Sequence, residues 1–272
     1  MIPVIAFTDL GLHPILFQVG PLAIRWYALA YIGSLLLGWR IMRRLVRLSP
    51  PVATELQTDD FLTWATLGVV LGGRLGYVLF YKPLDYLQNP LEILKVWTGG
   101  MSFHGGTLGV IVALVLYCRQ QRVPLLGFAD RLAVVVPIGL GLGRIANFIN
   151  GELWGRVAPE GLPWAMVFPN AGPEPRHPSQ LYQAGMEGLL LLLVLSFLCS
   201  KPVVRARFGT LTGTFLVGYG IARIIGETFR QPDDFLGFLI AGATMGQLLS
   251  LPMIAAGIWL IGRARPVATV AA

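Results

Sequence analysis

The chain has 272 residues, 55% of them hydrophobic and only 13% charged, about half the charged share of an ordinary soluble domain. A mean hydropathy of +0.67 excludes a disordered chain, and only two cysteines exclude a disulfide-stapled secreted scaffold. The formal net charge of +7, with a pI ≈ 9.8, invites a nucleic-acid reading, but the basic residues sit between long apolar runs, so no nucleic-acid partner is expected.

In chain order, Met1–Gly20 lacks a basic n-region, a long apolar core and a small-residue cleavage site, so it reads as an arm on the membrane surface and not as a signal peptide. Seven apolar windows follow, each a candidate to cross about 30 Å of hydrocarbon. They are Trp26–Met42, Phe61–Tyr81, Phe103–Cys118, Leu126–Phe148, Ser179–Cys199, Gly209–Glu227 and Ala243–Gly262. The first and third are short, so their ends are expected to extend. The fold class is therefore an all-α polytopic membrane protein, one integral membrane domain with seven transmembrane helices. The segments 82–102 and 149–178 carry Trp97, Trp154 and Trp164 with several Pro and Gly, which suits loops at the headgroup level.

The basic residues set the orientation. Arg40, Arg43, Arg44, Arg47, Arg119, Arg122, Lys201, Arg205, Arg207, Arg263 and Arg265 fall on one side, eleven in all, against six on the other. The richer side is cytoplasmic by the positive-inside bias, so the N-terminus is expected outside and the C-terminus inside.

Four basic residues remain within spans: Arg74, Arg131, Arg144 and Arg223. Each costs a few kcal/mol at mid-membrane, so each needs a partner or a purpose. Arg131 lies near an inner end, where it can snorkel to phosphates. Arg74, Arg144 and Arg223 share an outer depth, and a planar, permanently charged guanidinium suits a phospholipid phosphate. The competing reading pairs them with the internal acids Glu187 and Glu227. Glu227 stands four residues after Arg223, which allows a pair along one helix face.

Three polar stretches lie at that outer level. Gly143–Arg156 reads GRIANFINGELWGR. It puts Arg144 and Asn147 on one helix face, with Gly151 as a helix stop and Asn150, Glu152 and Arg156 just beyond. Gly99–Gly106 opens the third span with His104 at a helix start, where a histidine is either a cap or a proton acceptor. Tyr219–Arg223 is followed by Glu227, Arg230 and then Gln231, Pro232 and Asp233, with Arg223, Glu227 and Arg230 at i, i+4 and i+7. Tyr27 and Arg25 open the first span at the same level, and His177–Tyr182 opens the fifth; tyrosines there are commonly belt residues. Metal, phosphate-loop, dinucleotide and serine-elbow motifs are missing, so no cofactor is expected. Cys118 and Cys199 fall at inner span ends and read as structural.

The run GRIANFINGELWGR closely resembles the signature of the bacterial prolipoprotein diacylglyceryl transferases. GGMSFHGG, RHPSQLY, YGIARIIGETFRQPD and MGQLLSLPMI resemble other blocks of that family, in the family's order, from about Pro21 to Gly262. Ala146 stands where the family commonly has glycine, a small change. The resemblance implies seven transmembrane helices around an outward-facing polar cavity with lateral access for lipid, in the bacterial cytoplasmic (inner) membrane. It implies transfer of the diacylglyceryl group of phosphatidylglycerol to the lipobox cysteine of a prolipoprotein signal peptide, giving a thioether and glycerol 1-phosphate. By motif match, Arg144 would bind the headgroup, and His104, Arg223, Tyr27, Asn147 and Gly155 fall on essential or important positions. Glu152, Tyr219, Glu227 and Arg230 match supporting ones.

A free thiol has a pKa of about 8.5, so it needs a base such as His104 before it can attack. Fixed guanidiniums, here Arg144 and Arg223, would stabilise the charge on the departing phosphate. Two other classes compete: a transporter of an anionic lipid or solute, and a structural membrane scaffold. A transporter needs a polar path to a matching inner site, where only Asp130 and Arg131 lie. A scaffold has no need of His104 and arginines at one depth.

Overall fold

The structure is a computed structural model and describes residues 5–20, 22–232 and 237–267. It resolves into two compact units, residues 1–40 with 132–272 and residues 41–131, whose boundaries fall inside helices α1 and α5.

Among the described residues the seven predicted windows are all long helices, and most reach further than hydropathy alone indicates. They are α1 (Trp26–Leu45), α2 (Glu55–Phe80), α4 (Phe103–Gln121), α5 (Leu125–Ile149), a continuous rod over Ser179–Ser200, α9 (Thr210–Phe229) and α10 (Met245–Arg263). The rod consists of α6 (Ser179–Gln183), a π-helical stretch Ala184–Leu190 and α7 (Leu191–Ser200). Short helices α3 (Pro83–Gln88) and α8 (Pro202–Arg205) lie in connections. Four helices, Glu55–Phe80, Leu125–Ile149, Ser179–Ser200 and Met245–Arg263, are long and apolar enough to cross a membrane. The α2 start lies six residues before the predicted window because Thr54 caps it: Thr54 Oγ1 accepts from Gln57 N at 3.1 Å while Gln57 Oε1 accepts from Thr54 N.

In the unit 41–131, α2 and α4 approach until their backbones touch. Gly68, Gly72 and Gly76 face Gly105 and Gly109, and a Cβ on Gly76 would lie 2.7 Å from Gly105 Cα. Glycines at the contact allow this close approach, because a Cβ on either side would strike the facing backbone. The unit's polar core corrects two sequence readings. Arg131 does not snorkel: it is fully buried, and its Nε and Nη2 donate to Leu45 O at 3.1 Å and Pro50 O at 3.2 Å, closing the chain at the end of α1. Among the described residues Arg74 pairs with no acid. Its guanidinium donates to the carbonyls of Ile93, Gly99, Gly100, Glu92 and Lys95 at 2.5–3.3 Å, pinning the 82–102 loop from within. The Arg74→Leu protein should therefore lose at least about 3 kcal/mol, since hydrogen bonds to a charged group contribute about 1.5–3 kcal/mol each and are not additive. Limited proteolysis should show new cleavage between residues 82 and 102, and an unchanged digestion pattern would rule the pin out.

In the other unit, the N-terminal segment is more than a surface arm. Strand β1 (Ile5–Ala6) pairs in parallel with β4 (Met166–Val167), and Phe7 packs into a cluster with Phe148, Met166, Phe168 and Ala171. The arm thus ties the 149–178 segment to the end of α5; residues 1–4 lie outside the described residues. A hairpin of β2 (Ile15–Val19) and β3 (Leu22–Arg25) follows, with Phe17 and Val19 exposed. The rod meets α5 where Gly188 opposes Gly141, and α9 meets α10 where Gly213 opposes Gly257. These contacts bring the inward faces of α5, the rod, α9 and α10 together.

Candidate functional site

The GELWG stretch is built from the end of α5 outward. Gly151 turns the chain with φ +66° and its N–H bonds to Phe148 O at 2.9 Å, as the predicted helix stop requires. Leu153 then takes φ +57°, a strained value for a branched residue. Two side chains at the head of the rod hold that turn. Ser179 Oγ donates to Leu153 O at 3.1 Å and Gln180 Nε2 to Glu152 O at 2.7 Å. The Glu152 carboxylate accepts from Asn147 Nδ2 at 2.8 Å and Asn150 Nδ2 at 3.2 Å.

Gly155 is a point of close approach between backbones. Its N–H bonds to His177 O at 2.9 Å, and it bridges to Arg230. A Cβ at this position would lie 2.7 Å from Phe229 O and would also strike His177 O. Arg156 continues the seam. Its backbone N–H donates to Phe229 O at 2.8 Å, Nε to Arg230 O at 3.0 Å and Nη2 to Glu227 O at 3.1 Å, satisfying carbonyls at the end of α9. His177 packs edge-on to Tyr182 and Phe229, and burial lowers its pKa below the ordinary imidazole value.

At the centre of the same unit, arginines and carboxylates alternate. Arg144 on α5 grips Glu187 Oε2 with Nε at 3.1 Å and Nη2 at 3.0 Å. Arg223 Nη2 meets Glu227 Oε1 at 2.7 Å, and its Nη1 lies 3.9 Å from Glu187 Oε1. Arg230 Nη1 stands 3.7 Å from Glu227 Oε1, and Thr244 Oγ1 donates to Glu227 Oε2 at 2.6 Å. Both acids are buried, Glu187 completely. Two buried carboxylates hold three guanidiniums, and among the described residues Arg223 Nη1 has no hydrogen-bond partner. A partly open recess lies beside it, lined by Arg223, Glu227, Arg230, Thr244, Met245 and Gly246. A buried guanidinium with an open donor in a low-dielectric wall attracts an anion more strongly than a surface arginine does.

The sequence carries the mark of a known family. The family model described as prolipoprotein diacylglyceryl transferase matches residues 14–263. The chain belongs to the prolipoprotein diacylglyceryl transferase family. It is 62% identical to a relative from Gluconacetobacter diazotrophicus over 97% of this chain and 94% of that protein. Relatives from Gluconobacter oxydans and Paramagnetospirillum magneticum are each 62% identical, covering 91% and 92% of this chain and 91% and 93% of their own lengths. All three bear the name phosphatidylglycerol–prolipoprotein diacylglyceryl transferase.

In this member of the prolipoprotein diacylglyceryl transferase family, the structure brings together Arg144, Arg223, Glu227 and Arg230 in one cluster and Asn147 with Glu152 in a second. Gly155 forms the backbone seam with His177 and Arg230. Tyr219 stacks on Phe215 at 5.9 Å beside the cluster's helix face. Tyr27 stands half exposed in the first turn of α1. His104 belongs to the unit 41–131; it is the second residue of α4, exposed, with its ring edge-on to Phe103, and the cap is Ser102. Asp233 lies outside the described residues. Sequence reading met Ser179 and Gln180 only within the RHPSQLY block and gave them no role, and it left out Thr244. Thr244 was legible in principle, since Thr244 and Gln247 form a capping box at the start of α10.

Proposed function

We propose that this chain moves the diacylglyceryl group of phosphatidylglycerol onto the thiol of a lipobox cysteine in a prolipoprotein signal peptide. The observation that carries the reading is the buried Arg144–Glu187–Arg223–Glu227–Arg230 cluster in a chain of this family. Its guanidiniums, with Arg223 Nη1 lacking a hydrogen-bond partner among the described residues, fit a phosphodiester monoanion. Arg144 and Arg223 bind the phosphate, Arg230 and Glu227 fix their geometry, and Asn147 and Glu152 shape the neighbouring wall, with Tyr27 and Tyr219 as further contacts.

The reaction needs no resident cofactor. His104 accepts the thiol proton; support for it is its imidazole chemistry and its place in the GGMSFHGG block. The thiolate sulfur then attacks the C3 carbon of the diacylglyceryl group, forming the C–S bond of a thioether. The C–O bond to phosphate breaks, its electron pair stays on oxygen, and glycerol 1-phosphate leaves. Negative charge grows on that phosphate from one to nearly two units. Guanidiniums already oriented by buried carboxylates stabilise it without reorganising. Glu187 and Glu227 keep two arginines in place inside an apolar wall before lipid arrives.

The accompanying topology is a single multi-pass domain of seven spans in the bacterial cytoplasmic membrane, N-terminus out and C-terminus in, with the site facing the outer leaflet. The seven long helices and the bias of basic residues support it. Reporter fusions in 82–102 should read as periplasmic, and a cytoplasmic reading would reverse the orientation. Labelled phosphatidylglycerol with a lipobox peptide should yield a thioether, whereas lipid movement between leaflets without one would favour a transporter. His104→Gln should lower turnover at neutral pH by about 10²-fold or more, the usual contribution of a general base. Near-normal turnover in that protein would remove His104 from the base role.

A further inference from the structure

Gln180, Gln183 and Glu187 follow one another at i, i+3 and i+7 along the rod Ser179–Ser200, and all three side chains are fully buried. The lower part of this ladder lies in the π-helical stretch Ala184–Leu190, a distortion that recurs at functional sites. Glu187 holds Arg144, and Gln180 Nε2 holds the Glu152 carbonyl. Gln180 Oε1 and both amide atoms of Gln183 have no hydrogen-bond partner among the described residues. Gln183 lies against α9 at Gly226, where a Cβ would stand 3.1 Å from Gln183 Cγ and 3.2 Å from its Nε2. Gly226 precedes Glu227 and follows Arg223 by three residues. An uncommitted amide is therefore set against the turn of α9 that carries the Arg223–Glu227 ion pair.

A buried amide with neither donor nor acceptor satisfied is costly, and an apolar side chain of the same shape would be cheaper. The amide must answer a polar group that arrives with a ligand. One turn along the rod from Gln183 stands Glu187, with the guanidiniums assigned above to the lipid phosphate. Beyond that phosphate, away from the acyl chains, phosphatidylglycerol carries a glycerol with two free hydroxyls. Each hydroxyl both donates and accepts, which matches an amide's N–H and C=O.

We propose that Gln183, supported by Gln180, reads the free hydroxyls of the glycerol headgroup and is a specificity-determining residue of the transferase. The inference rests on the function proposed above. An ammonium headgroup offers donors only and would leave the Gln183 N–H unpaired. A headgroup without hydroxyls would leave the whole amide unpaired, and sites built for a hydroxyl reject analogues that lack it.

The test compares phosphatidylglycerol with phosphatidylethanol, which has the same phosphodiester but no headgroup hydroxyl, using the purified full chain and one lipobox peptide. The wild type should prefer phosphatidylglycerol by at least about tenfold in kcat/KM, and Gln183→Met should bring that ratio close to one. Its melting temperature should not fall, because the substitution removes an unsatisfied buried amide. A wild type without the preference overturns the proposal with no variant needed. So does a Gln183→Met protein that keeps the ratio, or one that melts lower and so marks the amide as structural. Failure of the wild type to form any thioether from phosphatidylglycerol would instead overturn the underlying function.

Discussion

Replacing Arg144 with alanine is expected to abolish diacylglyceryl transfer while the protein still inserts into the membrane. Removing one preorganised donor to developing charge costs roughly 10²- to 10³-fold in turnover. Here the loss should be larger, because Arg144 makes two contacts to Glu187 and, in the proposed function, gives its remaining donors to the phosphate. A structural loss is expected as well: Glu187 is fully buried, and stripping a buried carboxylate of its partner costs about 3–5 kcal/mol. The two effects separate in a double variant. Arg144→Ala with Glu187→Gln removes the stranded charge, so thermal stability should recover while activity stays absent. Recovery of activity together with stability would reduce Arg144 to a structural partner of Glu187.

Gly155→Ala should be nearly as damaging, for a reason that involves no lost chemistry. The added methyl would meet His177 O and stand 2.7 Å from Phe229 O. Both atoms are backbone, so neither can rotate away. Overpacking of this kind costs about 1–3 kcal/mol. The displaced element is the end of α9, where Arg156 also binds the carbonyls of Glu227 and Arg230. The seam should open, moving Glu227 and Arg230 by the fraction of an ångström that a preorganised site does not tolerate. We expect at least about a hundredfold loss of kcat/KM with a lowered melting temperature. A Gly155→Ala protein that transfers lipid at the wild-type rate would show that the seam does not position the cluster.

The helices were legible because each is a long apolar run, which hydropathy reports directly. Each of the seven windows became a helix, and the errors fell at the ends, where caps such as Thr54 decide and hydropathy is silent. Pairs close in sequence were legible too. Arg223 and Glu227 stand four apart, and the structure joins them at 2.7 Å. Arg144 and Glu187 are 43 residues apart, and only tertiary packing of the rod against α5 decides that they meet.

The misreadings share one physical cause. Arg74 and Arg131 looked like phosphate binders because a sequence shows side-chain charges and not where carbonyls point. Both satisfy main-chain oxygens of loops. The packing reason for Gly155 was not legible either, because the need for a missing Cβ is visible only once His177 O and Phe229 O are beside it. Gln183 drew no attention, since an uncharged amide inside an apolar run carries no pattern; its unpaired atoms appear only when α9 closes over it at Gly226.

The most direct test of the arginine cluster as a phosphate site for diacylglyceryl transfer is the product balance of the purified protein. With phosphatidylglycerol and a lipobox peptide, one glycerol 1-phosphate should appear per thioether, and Arg144→Ala should eliminate both together. Thioether formed without glycerol 1-phosphate, or either product persisting in Arg144→Ala at the wild-type rate, would contradict it.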